Sequence, residues 1–312
     1  MKKNWTLLTA LAFSLLLGLS TLAGACSANN SKKGQDSEQT DGEAALNVMS
    51  FNIRYDNKGD GRHQWANRLE EVGTMLNARD LDFIGTQEVL KNQLDDLAAL
   101  LSDYRYIGVG RDDGKEEGEY APLFYNTKRW QLKEGGYFWL SQDPEHPGIG
   151  WDAACNRIVS WGHFANLANG QEVVCFNLHL DHVGETARRE SVTLLKQRLR
   201  PFVTAELPVI VMGDFNAAPD SEVIAATKTP LDGMTLMDSY ETATHRVGPE
   251  WTFHDFGEIP QERRARIDYI FYTAPLHPDT LEIVHPEAES DTTRFLSDHT
   301  PVVVTFVSNS GH

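Results

Sequence analysis

The sequence predicts an α/β domain with a sheet-on-sheet core and helices on the outside. Three observations carry this. Short segments alternate apolar and polar residues, other segments repeat apolar residues every three or four positions, and several strand-like segments follow one another like hairpins. Each sheet must bury a face, and two sheets packed face to face with helices outside satisfy all of these segments. The chain has 312 residues, 41% of them hydrophobic, with 7 Trp and 14 Phe. That is enough apolar material for a large core and excludes disorder over most of the length.

The first segment is not part of the fold. Lys2 and Lys3 precede an apolar run from Trp5 to Leu22, then Ala23-Gly24-Ala25 and Cys26. A basic start, an apolar stretch and small residues describe a secretory signal peptide over residues 1–25. A Cys directly after the small residues resembles a lipoprotein processing site, although Ala23 stands where Leu is usual. The expectation is an exported protein of the cell envelope, bound to a membrane through a lipid on Cys26. Residues 26–44 carry no large apolar residue and read as a flexible tether. Residues 45–308 hold no linker and are expected to form one domain.

Within that domain, Ala45–Ile53 alternates Val48, Ser50 and Asn52 with Met49, Phe51 and Ile53, a strand. Asn67–Arg79 places Leu69, Val72, Met75 and Leu76 at helical spacing. Leu81–Thr86 is a short apolar strand ending at Gln87-Glu88. Leu94, Leu97, Leu100 and Leu101 mark a second helix. Strands follow from about Tyr104 to Leu180 around a Gly/Asp/Glu loop at 110–118. A helix over Ala187–Leu199 is expected to stop at Pro201, where the missing N–H breaks the ladder. Pro208–Met212, Ile267–Tyr272 and Val302–Val307 complete the strands.

Residues 155–164 and 171–180 form a hairpin around Asn166–Gly170. With Ala165 opposite Gln171, Cys155 falls opposite Asp181, Cys175 opposite Trp161 and Arg157 opposite His179. The two cysteines are then too far apart along the strands to bridge and are expected to be reduced. Arg157 and His179 should be cross-strand neighbours with Cβ atoms within about 6 Å.

The charge is −17, from 28 basic and 45 acidic residues; losing residues 1–25 removes two lysines and no acid, which makes it −19. A stable complex with a long polyanion such as nucleic acid is not expected of such a chain. There is no GxxxxGKS/T, HExxH or GxSxG. Asp56, Asp60 and Gly61 look like part of a calcium loop, but Lys58 and Asn67 stand at ligand positions, so a polar turn is the better reading.

Chemistry-bearing residues gather instead at strand ends: Asn52, Glu88, Arg157, His179, Asp214 with Asn216, Asp268, and Asp298 with His299. Singly, each has a plainer reading as a turn, a cap or a solvated end. Together they supply hard oxygen donors for Mg²⁺ or Mn²⁺, an Asp–His pair able to orient a base and an arginine for phosphate.

In order along the chain, Ser50-Phe51-Asn52-Ile53-Arg54, Gln87-Glu88, Asn177-Leu178-His179, Gly213-Asp214-Phe215-Asn216, Arg266-Ile267-Asp268-Tyr269-Ile270 and Ser297-Asp298-His299 resemble the successive motifs of the endonuclease/exonuclease/phosphatase (DNase I-like) superfamily. The resemblance spans residues 46–307 and is strongest to exported or lipoprotein members of Bacteroidetes-type bacteria. It implies a four-layer α/β sandwich, two mainly antiparallel sheets between outer helices, with the site at one edge. It also implies that Asn52, Glu88 and Asp298 hold a divalent metal and that Arg157, His179 and Asn216 contact the substrate phosphate. Asp214 would orient or deprotonate water, Asn216 would stabilise the oxyanion, and His299, oriented by Asp268, would be base or phosphate ligand. Some members carry Asp where this chain has Arg54, which argues against a second metal there.

The implied activity is an exported metal-dependent phosphoesterase acting by in-line attack of water, first as a nuclease-like phosphodiester hydrolase. The alternative within the fold is a phospholipid, sugar-phosphate or other small phosphoester. An alternative of another class is a non-catalytic lipoprotein that binds a ligand. A monomer is expected.

Overall fold

The computed structural model describes residues 45–308 apart from 231–232, 286 and 289–290. The expected signal peptide, Cys26 and the tether lie outside the described residues. In chain order the elements are β1 (Leu46–Asn52), α1 (Trp65–Asn77), β2 (Phe83–Gln87), α2 (Lys91–Leu100), β3 (Tyr104–Ile107), β4 (Leu123–Asn126), β5 (Trp130–Trp139), β6 (Ile158–Asn166) and β7 (Glu172–His179). Then come α3 (Glu185–Thr204), β8 (Val209–Asp214), α4 (Glu222–Lys228), β9 (Met237–Asp238), α5 (Ser239–Thr242), β10 (His245–Val247), β11 (Asp268–Tyr272), β12 (Leu276–Ile283), β13 (Glu287–Ala288), β14 (Asp291–Phe295) and β15 (Val302–Ser308).

One seven-stranded sheet has the order β10-β12-β15-β1-β2-β4-β3; a six-stranded sheet runs β5-β6-β7-β8-β11-β9. Most neighbours are antiparallel, but β1–β2, β7–β8 and β10–β12 are parallel. Period-2 patterning sets the layers. In β1, Val48 belongs to the core between the sheets, while Met49, Phe51 and, just past the strand, Ile53 pack with Val72, Leu76, Leu94 and Leu97 of α1 and α2. In β7, Val173 and Cys175 face the other sheet, while Val174, Phe176 and Leu178 meet Val192, Leu195 and Leu199 of α3. The result is the four-layer α/β sandwich, helices outside two facing sheets.

A polar tie joins the sheets beneath one edge. Asn177 of β7 donates to the Thr86 and Pro122 carbonyls at 2.8 and 2.9 Å, and accepts from Gln87 Nε2 at 2.6 Å. Gly85 permits this approach. A Cβ there would sit 2.6 Å from Asn177 Oδ1 and 2.7 Å from Met212 Cγ.

The β6–β7 hairpin corrects the expected register by one residue: Ala165 faces Glu172 and Val159 faces Leu178. Asn166 Oδ1 accepts from Ala168 N and Asn169 N, Gly170 takes φ 73°, and Asn166 N donates to Gln171 O. Gln171 therefore faces Asn166 instead of Ala165, and the turn closes one residue later on the β6 side than expected. Arg157 precedes β6 and is not the cross-strand partner of His179. Cys155 and Cys175 are free thiols, as expected.

Pro201 does not stop α3, which continues to Thr204. An interior proline costs a helix about 3 kcal/mol. Phe202, packed against Trp161 and Phe176 with ring centres 5.2 and 6.0 Å away, offsets part of it. β12 went unread because Pro278 and its mixed polarity hide the alternation; the register slips at Pro278–Thr280.

Candidate active site

The site lies where β1, β2, β7, β8 and β11 meet at one edge of the sandwich. Asp214, last residue of β8, is flanked in its sheet by His179 of β7 and Asp268 of β11. Pairing alone thus brings together three residues far apart in sequence. Asn52 of β1 reaches across from the other sheet. Its Nδ2 donates to Asp214 Oδ2 and to Glu88 Oε1, each at 3.0 Å.

One local device recurs at these strand ends. Asn52 Oδ1 accepts from Arg54 N at 3.0 Å, and Asp214 Oδ1 accepts from Asn216 N at 2.8 Å. In both, a side-chain oxygen ties down the N–H two residues on and turns the chain sharply out of the sheet. Arg54, Glu88 and Asn216 take φ of 57°, 60° and 47°. Left-handed backbone is costly for side chains of this size and tends to gather at functional sites.

His299 Nδ1 lies 2.8 Å from Asp268 Oδ2 and its Nε2 lies 3.7 Å from Asp214 Oδ2. The Asp268–His299 pair read from the sequence is therefore present, with Asp214 on its far side. Burial alone would lower His299, but the carboxylates of Asp268, Asp214 and Asp298 outweigh it and hold the imidazole well above its ordinary range. Burial, then the charge of Asp268, pushes Asp214 up to about 7. His179 goes the other way, well below its ordinary range, through burial and the nearby Arg157 guanidinium. Neutral His179 accepts at Nε2 from Asn216 Nδ2 at 3.0 Å, so its proton is on Nδ1.

Arg157 and His179 meet after all, though not through strand register. Both line one small cavity with Arg111, Glu119 and Tyr120. His179 Nδ1 and Arg157 Nη1 are buried donors without an acceptor. Buried polar groups are nearly always paired, so two unmatched donors on one cavity fit an anion.

The expected metal ligands also converge. Glu88 and Asp298 both lie within 4 Å of the Arg54 guanidinium, at 3.9 and 3.8 Å, and Asn52 holds Glu88 directly. Burial, with Glu88 adding to it, pushes Asp298 up to about 6. An oxygen-only set with two close carboxylates has the donor chemistry of a hard divalent cation, and Asn52 Oδ1 keeps a second lone pair for one. Ligand atoms of Asp214, Asp268 and His299 also fall within 4.8 Å of one another. There, however, Asp268 Oδ2 and His299 Nδ1 are spent on each other, so we read that trio as a proton-handling unit.

Arg111, Glu119, Asp181 and His182 escaped the sequence reading. Arg111 and Glu119 form a two-pronged ion pair at 2.7 and 3.0 Å on the cavity wall. Asp181 stands two residues beyond His179, the spacing that relates Asn216 to Asp214, and that repetition was the available signal.

A β-sandwich of this layering, with Asn, Glu, Asp and His converging on one edge, defines a class, and the chain belongs to it. It is a member of the endonuclease/exonuclease/phosphatase family, whose pattern matches residues 49–299. Members of this family are hydrolases of phosphoester bonds.

Among solved structures, the chain is similar to an endonuclease/exonuclease/phosphatase from Bacteroides vulgatus, 39% identical with TM-score 0.81, covering 86% of this chain and 100% of that one. It is likewise similar to the mannosyl-6-phosphatase of Bacteroides thetaiotaomicron, 37% identical with TM-score 0.77, over 84% of this chain and 99% of that one. A curated relative is the 3'-5'-exoribonuclease subunit Ccr4 of the CCR4-Not complex of Mycosarcoma maydis, 23% identical over 74% of this chain. The chain spans 44% of that relative's length.

Proposed function

We propose that this protein is a divalent-metal-dependent phosphoesterase that hydrolyses a small phosphoester, with a sugar phosphate as the leading substrate. The observation that carries the phosphoester reading is the pair of buried, acceptor-less donors on His179 and Arg157, set beside the Glu88–Asp298 carboxylates. Donors for phosphoryl oxygens and ligands for a cation are what attack on an anionic ester requires.

In this reading Arg157 and His179 bind the phosphoryl oxygens. Asn216, whose Nδ2 donates to His179 Nε2 and Leu180 O at 3.0 Å each, would turn one N–H to the oxygen that gains charge in the transition state. His299, held protonated by Asp268, adds positive charge beside it, which leaves Asp214 as the group that takes the proton of the attacking water. Asn52, Glu88 and Asp298 would hold Mg²⁺ or Mn²⁺, whose chemistry is to neutralise phosphoryl charge.

Three observations favour a small substrate. A cavity of about 400 Å³ opens beside Asn216, lined by Ala217, Ala218, Ser221, Arg188 and Arg189, room for a sugar-sized leaving group. A chain of charge −17 repels long polyanions. The likeness to a mannosyl-6-phosphatase spans nearly that whole chain. The second reading, a nuclease-like phosphodiesterase, is supported by the match to an exoribonuclease subunit.

The test is a hydrolysis panel with Mg²⁺: hexose 6-phosphates, nucleotides, bis-p-nitrophenyl phosphate, sphingomyelin, DNA and RNA. The reading expects phosphate release from the sugar phosphates, lost in EDTA and in Glu88→Ala with the fold intact. Faster cleavage of the diesters would make the second reading the first, and equal activity in EDTA would remove the metal. We propose further that the protein works in the cell envelope, anchored through Cys26. Cys26→Ser should then leave the membrane fraction or fail to mature, and a freely soluble wild type would contradict the anchor.

A further inference from the structure

Two residues outside the set described so far bear on how the phosphate is held. Arg157 is buried, 4% exposed, and a buried guanidinium keeps a useful direction only if its other nitrogens are engaged. Arg157 Nε donates to Asp181 Oδ2 at 3.3 Å, and Nη2 donates to His182 Nδ1 at 2.9 Å. Nη1 is the nitrogen left over, buried and without an acceptor. Asp181 is itself fixed. Its carboxylate accepts from Ala154 N, Val183 N and Gly184 N at 3.1, 2.9 and 2.8 Å. Cys155, Asp181 and His182 also bring ligand atoms within 4.8 Å of one another. Asp181 and His182 are engaged there by the Arg157 guanidinium, and we read the trio as the arginine's support.

We propose that Asp181 and His182 are positioning residues that clamp Arg157 on two nitrogens and leave Nη1 as a directed donor for the substrate phosphate. The proposal rests on the phosphoesterase reading and adds the part that orients its arginine. The clamp needs His182 neutral at Nδ1, because that atom must accept from the guanidinium. It also explains a short loop with two successive polar residues directly after β7. Asp181 ties the loop through Val183 N and Gly184 N, which places His182 beside Arg157.

The experiment is calorimetric binding of inorganic phosphate to the Mg²⁺-loaded full domain, a readout independent of turnover. Asp181 holds backbone N–H groups as well as Arg157, so its substitution risks the fold, and exposed His182 carries the test. His182→Ala should weaken phosphate binding roughly 5- to 10-fold, the worth of one ordinary intramolecular hydrogen bond at an exposed residue. His182→Asn, whose amide oxygen can stand in for Nδ1, should restore most of it. In an Arg157→Ala background, His182→Ala should cost nothing more, because the clamp acts only through the arginine. Unchanged affinity in His182→Ala would overturn the clamp. So would an Asn variant as weak as the Ala variant, or fully multiplicative losses with Arg157→Ala. Failure of the wild type to bind phosphate at all would instead strike the phosphoesterase reading, and the clamp with it.

Discussion

At one end of the sandwich, β1, β2, β7 and β8 run out into Asn52, Glu88, His179 and Asp214. At the other end, the starts of β1 and β7 and the last residues of β15 close around Leu46, Trp130, Val173 and Phe306, lining an apolar cavity of about 290 Å³. The strands are the same and the chemistry differs. The polar end holds a carboxylate pushed up to about 7, a histidine well below its usual range, and three non-glycine residues with left-handed backbone. The apolar cavity is comparable in volume to the one beside Asn216, about 400 Å³, yet offers no set of convergent charges. Volume alone does not mark a site. Unfavourable local choices held in place by the rest of the fold do.

This contrast makes substitutions at the two ends fail in different ways. The largest effect is expected from Asp214→Asn, which should lower kcat by roughly 10³-fold or more with Mg²⁺ present. The same change should stabilise the metal-free protein. A carboxyl whose folded pKa is raised stabilises the fold most below its unfolded value and loses that contribution as pH rises through about 7. The gain in Tm for the Asn variant should therefore grow from pH 4 to pH 7 and then level off, which thermal melts in EDTA would check.

At the apolar end the pattern should reverse. Phe306→Ala removes a fully buried ring and should cost about 3–5 kcal/mol of stability. Denaturant melts would measure that loss, and kcat of the folded fraction should stay near wild type. A loss of kcat matching Asp214→Asn would erase the distinction between the ends.

Asp181 should give a smaller effect. Burial alone would raise it, but the N–H groups of Gly184, Val183 and Ala154, with Arg157, hold it at about 2. Its contribution is present above the unfolded value near 4 and fades as pH falls toward 2. Asp181→Asn, if folded, should flatten the acid limb of the stability curve over that window. The smallest effect belongs to Leu167 at the exposed hairpin tip, where Ala should change stability by less than about 0.5 kcal/mol and leave kcat alone.

The sequence carried the layers because period-2 alternation in β1 and β7 and helical spacing in α1 and α2 are each set by which face is buried. It carried the Asp268–His299 and Asn52–Glu88 pairings through ordered motifs, with Asp268 marked independently as a carboxylate inside an apolar strand. It did not carry the β6–β7 register, since the side chain of Asn166 decided where the turn closed. Pro201 misled for a related reason: tertiary packing of Phe202 overrode a local helix breaker. Arg157 was placed in the site by a wrong register, and the structure brings it there from a loop instead, held by Asp181 and His182, for which the sequence had offered no role.

The central claim is that Asp268 and His299 act as one unit beside Asp214, and steady-state kcat for Asp268→Asn, His299→Ala and the double variant tests it most directly. Each single change should lower kcat by roughly 10²–10⁴. The double variant should be little worse than His299→Ala alone, because an orienting carboxylate has nothing left to orient. Fully multiplicative losses would contradict the account, since Asp268 and His299 would then act separately despite lying 2.8 Å apart.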